Sequence, residues 1–143
     1  LKRTEETAVK NVTLAADYVR RAEARLKAVE VLYEAESWAD VVRESQEIVE
    51  LTLKGLLRAC GIEAPRTHDV SDVLFAERDR LPAEIGSELQ RLADISKELR
   101  RDRELAFYGA EDLTPSGFYS KKDADRALEG ARYTVETVKP HVA

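Results

Sequence analysis

Along most of this chain apolar residues return every three or four positions, the spacing of one helix face and not of a strand. Val9, Val12, Ala16, Val19, Ala22, Leu26, Val29 and Tyr33 make one such stripe and predict a helix from about Thr4 to Ala35. Trp38, Val42, Ser45, Val49, Thr52, Leu53, Leu56 and Cys60 make the next, with Asp40, Arg43, Glu47, Lys54 and Arg58 on the other side. This second helix should begin after Ser37 as N-cap and end at Gly61. The connection between the two is too short for anything but antiparallel neighbours.

Thr67 or Asp69 can cap a short third helix that carries Val70, Val73, Leu74 and Phe75, and Pro82 marks its end or the start of the next. A fourth helix, from about Ala83 to Phe107, places Leu89, Leu92, Ala93, Ser96, Leu99, Arg100, Arg103 and Phe107 on one wide face. After an irregular stretch from Gly109 to Tyr119, Ser120 and Asp123 stand three residues apart as an acidic variant of the capping box. The last helix then carries Ala124, Ala127, Leu128, Ala131, Val135 and Val138 inward and stops near Pro140.

With only six glycines and four prolines in 143 residues, little interrupts these helices. The expected fold is all-α: an antiparallel up-and-down four-helix bundle with one additional short helix, in a single domain over residues 1–143. Hydrophobic residues make up 43% and charged residues 36%, the balance of a chain that folds. No run approaches the roughly 20 apolar residues of a membrane span, and no basic-then-apolar signal stretch opens the chain. A lone cysteine, Cys60, makes no internal disulfide and fits a cytoplasmic location. The net charge of −5 argues against non-specific coating of nucleic acid, while leaving a local basic patch open. No metal-ligand spacing, glycine-rich phosphate loop or nucleophile elbow occurs, so neither metal nor cofactor is expected.

The anomaly lies in the fourth helix. Relative to Leu89, Arg100 falls about 20° and Arg103 about 40° from the centre of the apolar face, and Phe107 on the centre line. An unpaired guanidinium in a core costs several kcal/mol, so these arginines require a carboxylate, water, a cleft or a second subunit. One reading is a helix that outruns its core, with both side chains reaching into water. The other is a polar cleft or dimer interface with Tyr108 beside it. Glu50 forms an i,i+4 pair with Lys54 or reaches an arginine of the fourth helix.

Two stretches carry a resemblance. "SWADVVRESQEIVELTLKGLLRACGIEAPRTHDVSDVL", residues 37–74, and "RELAFYG", residues 103–109, resemble the HEPN family (higher eukaryotes and prokaryotes nucleotide-binding). The matching features are Trp38 at the helix start and the series Gln46, Glu50, Lys54. To these are added the Leu56–Leu57 and Gly61 ending, the Thr67–His68 opening and the distal Arg103.

The resemblance implies a helical bundle that dimerises and, in many members, cleaves RNA without a metal. The family's site is similar to Arg–x4–6–His near the end of a late helix. Arginine suits a phosphate because it stays charged and donates paired hydrogen bonds. Arg103 fits the arginine, but five residues later this chain has Tyr108, and no histidine lies between Lys97 and Ser120. A phenol with a reference pKa near 10 is a poor proton shuttle at neutral pH, although it can donate a hydrogen bond or stack on a base.

The resemblance therefore implies a homodimer that binds a nucleotide or RNA phosphate through Arg100, Arg103 and Tyr108, with His68 and Glu50 as further candidates. The implied partner is a minimal nucleotidyltransferase in a toxin–antitoxin-type module. Two alternatives stay open: a metal-independent endoribonuclease using Arg103 with Tyr108 or His68, and a purely structural dimerisation module. His68 has its own structural reading, as a half-packed ring at the opening of the third helix.

Overall fold

A central helix organises the molecule. In this computed structural model the backbone is described for residues 2–63, 69–108 and 118–142, and the side chains of those residues apart from 2–12 and 102–108. Helix α1 spans Lys2–Glu34, α2 Trp38–Ala59, α3 Val70–Ala76, α4 Ala83–Tyr108 and α5 Lys121–Val138. Short 3-10 turns cover Arg78–Arg80 and Lys139–His141, and no strand occurs among the described residues.

The second helix packs against α1, α4 and α5. That explains why more of it is buried than its stripe predicts: Val41, Gln46, Ile48, Gly55 and Leu57 join the expected inner residues. A stripe predicts one covered side; α2 has three neighbours. Alternation of direction is fixed by contacts between helices. Glu23, Glu30 and Tyr33 of α1 meet Lys139, Arg132 and Asp125 in reverse order along the last helix and its 3-10 extension. Glu88 and Glu98 of α4 meet Tyr133 and Arg126 in the same reversed sense. The bundle is thus up-and-down, with α3 laid on α4 as the additional short helix.

Helix ends follow local chemistry. At Gly61, φ is +72°, Ile62 N–H donates to Leu57 O at 2.8 Å, and Gly61 N–H donates to Arg58 O at 3.0 Å. This is a Schellman closure, with Ile62 buried beneath it. Ser120 and Asp123 form the reciprocal capping box. Ser37 occupies the N-cap position of α2, but its hydroxyl donates to Asp40 at 2.6 Å and does not accept from the backbone. The nearby carboxylate is the stronger acceptor for that proton. Trp38 lies half-buried against the core, edge-on to Tyr33 with ring centroids 5.2 Å apart.

Two close spots make the packing testable. A Cβ on Gly55 would stand 3.2 Å from both Ala15 O and Tyr18 Cβ, so α1 and α2 approach at a distance only glycine permits without adjustment. Gly55→Val should destabilise the fold by about 1–3 kcal/mol in urea unfolding, because backbone oxygen cannot swing aside. Ser45 Oγ is buried with no hydrogen-bond partner among the described residues, whereas Thr52 and Thr134 return theirs to the carbonyls of Ile48 and Gly130. An orphaned buried hydroxyl costs about 1–3 kcal/mol. Ser45→Ala should therefore raise the urea midpoint; a lowered midpoint contradicts the orphan.

Candidate functional site

The late part of α4 runs past the apolar core. Ser96 and Leu99 are buried, while Arg100 turns its guanidinium toward α3 and remains 37% exposed. The first turn of α3 meets it there. Asp69 caps that helix by accepting from the backbone N–H of Ser71 at 3.0 Å and from its hydroxyl at 2.8 Å, both on Oδ1. The same Oδ1 lies 3.9 Å from Arg100 Nη1. One turn earlier on α4, Lys97 stands 3.5 Å from Asp72 of α3.

A carboxylate thus answers the anomaly at Arg100. It does so incompletely. At 3.9 Å the pair is an ion pair without a hydrogen bond, and no described residue hydrogen-bonds that guanidinium. Among the described residues its forked donors are left unsatisfied. Asp69, by contrast, already accepts two hydrogen bonds, so its orientation is set by the cap rather than by the arginine.

Arg103 and Tyr108 lie in the closing turns of the same helix, and their side chains fall outside the described residues. His68 falls outside them altogether. Glu50 sits on α2 and meets Lys54 at 3.9 Å, the helical pair expected from its spacing. Arg100 finds Asp69, a residue whose capping role was legible but whose ion pair depends on how α3 packs. Lys97 and Asp72 were not singled out by the sequence pattern, since nothing local relates residues 25 apart.

Other reactive groups offer no competing chemistry here. Burial pushes the Cys60 thiol above its ordinary pKa, only partly opposed by the Arg80 guanidinium, so it is a weak nucleophile. Tyr119 is buried in the core while Phe118 stands 41% exposed, edge-on to it at 5.0 Å. The pair anchors the entry to α5. No cluster of metal-ligating side chains occurs among the described residues, and no helix among them is long and apolar enough to cross a membrane.

An all-helical bundle whose late helix carries arginines near its end and is braced by a short capped helix is the architecture in hand. The model of the HEPN domain matches residues 15–141, and the chain belongs to that family. It is also 27% identical over 135 residues, 90% of this chain and 88% of the other, to a protein of Methanocaldococcus jannaschii named "Putative toxin MJ1304". No solved structure matches the chain.

The two partners at the α3–α4 contact should separate by energy. Asp69→Ala removes an N-cap and should cost about 1 kcal/mol. Arg100→Ala removes only a long, half-exposed ion pair and should cost a few tenths of a kcal/mol. Thermal unfolding of both variants and the double variant checks this; a larger loss for Arg100→Ala would mean a tighter contact than the geometry provides.

Proposed function

We propose that this HEPN protein acts as a homodimer in a toxin–antitoxin-type pair, binding a nucleotide or RNA phosphate at the late end of α4. Arg100, Arg103 and Tyr108 are the binding residues, with His68 and Glu50 as further candidates, and a minimal nucleotidyltransferase is the partner. The observation that carries the reading is the Arg100 guanidinium, half-exposed and held by Asp69 at 3.9 Å without a hydrogen bond. A cation so held is positioned by its neighbour but not satisfied by it. The similarity to a protein named as a toxin supports the biological setting.

Binding without efficient cleavage is expected. Tyr108 stands where the family pattern has its histidine, and a phenol holds its proton at neutral pH. A second reading draws on the chain order: His68 directly precedes Asp69, the residue that meets Arg100. In that reading His68 supplies the acid–base group of a metal-independent ribonuclease.

Titration of labelled RNA and of nucleotides against wild type, Arg100→Ala and Arg103→Ala tests the proposal. Each substitution should weaken binding about tenfold, the scale of one lost charge-assisted contact. Negligible binding by all three proteins removes the site. Incubation of RNA under EDTA separates the readings: intact RNA fits a binding protein, and cleavage abolished by His68→Ala fits the ribonuclease. If Arg103→Ala merely dissociates the dimer on a sizing column, with no ligand bound by wild type, the arginines serve assembly alone.

A further inference from the structure

Nine residues before Arg100, and so on the opposite face of α4, Arg91 borders a groove of about 880 Å³ between α1 and α5. The late-α4 site does not use it. Its floor includes Leu128, and its α1 wall carries Val31, which is 69% exposed. Tyr33 and Tyr133 form the aromatic sides, and both rings are held in place. The Tyr33 hydroxyl donates to Asp125 at 2.6 Å, the Tyr133 hydroxyl donates to Glu88, and Arg91 lies 3.8 Å above the Tyr133 ring. A surface fixed this way loses little entropy on binding.

Charge selects the occupant. Five carboxylates line the groove against three cations. Two of those cations are engaged, Arg132 with Glu30 at 3.4 Å and Arg91 with the Tyr133 ring. Glu34, Glu129 and Glu136 have no ion-pair or hydrogen-bond partner among the described residues. Glu129 and Glu136 are seven residues apart on one helix face, about 10 Å along its axis. Nucleic acid is repelled by this surface. A second copy meeting it groove to groove would oppose like charges, since a two-fold contact is self-complementary. What fits brings cations about two helical turns apart and an aliphatic residue between them, which is one face of a basic amphipathic helix.

We propose that the α1–α5 groove docks a basic amphipathic segment of a partner protein, its lysines or arginines against Glu129 and Glu136 and its aliphatic side chain against Val31 and Leu128. The site is separate from the anion site and does not depend on it.

The test uses the full chain and two labelled synthetic helices of about five turns. One carries lysines at i and i+7 around leucines at i+3 and i+4; its twin carries glutamates in place of the lysines. By fluorescence anisotropy the lysine peptide should bind and the glutamate twin should not. Glu129→Lys combined with Glu136→Lys should weaken binding at least tenfold. Glu63→Lys, an exposed carboxylate change outside the groove, should leave it unaltered. Circular dichroism of each variant checks folding, and the peptide pair tests the wild-type protein whatever the variants do. Failure of the lysine peptide to bind overturns the proposal, as does binding indifferent to peptide charge or to the reversal. So does a chain that sediments as a dimer, falls to monomer on Val31→Asp and binds neither peptide, for the groove is then an interface between copies.

Discussion

Because α1, α4 and α5 all pack on α2, that helix gives up solvent on three sides, and Ile48, Leu53, Leu56 and Leu57 are wholly buried. Each such side chain is worth about 1.5–3 kcal/mol of removal from water, and together they tie three neighbours to one axis. The neighbours need only one apolar stripe each, so their outer faces are free for charge. Close approach makes this arrangement tight: glycine at position 55 lets α1 settle against α2, and glycine at 130 lets α5 settle against Ile95 of α4. Side chains of ordinary size at those points would separate the layers that α2 joins.

Spare surface on α4 then divides into two environments. Toward α3, Lys97 and Arg100 meet the carboxylates of Asp72 and Asp69 through ion pairs too long for hydrogen bonds or barely within reach of them. Toward α5, Glu88 and Glu98 are taken up by Tyr133 and Arg126, and the open groove beyond them is acidic. A half-turn of helix separates these faces, so the Arg100 contact with α3 and the acidic groove between α1 and α5 lie on opposite sides of α4. In a chain with net charge −5, the grouping of charge by face matters more than its sum.

Membership of the HEPN family fits a bundle whose late helix carries arginine, while the tyrosine at 108 changes what that arginine can be used for. Guanidinium and phenol both donate hydrogen bonds, and neither gives up or takes a proton readily near neutrality. Groups of these two kinds recognise anions and transfer protons poorly, which is the chemical basis for our proposal that this member acts primarily as a binding protein.

Helix number, order and most boundaries were legible in the sequence because they depend on neighbours within four residues. The Ser120–Asp123 box, the Gly61 closure and the apolar stripes are all local events. Arg100 was legible as an anomaly for the same reason: its angle on the helix is fixed by position alone. Its partner was not, because Asp69 reaches it only when α3 folds back along α4, a contact no periodicity encodes. Likewise Val41, Ile48 and Leu57 lie off the predicted stripe and are buried because three helices surround α2, and the acidic groove exists only where α1 meets α5. Sequence by itself determined which surfaces each helix owns; the tertiary structure decided which of them face each other, since that depends on packing among segments far apart in the chain.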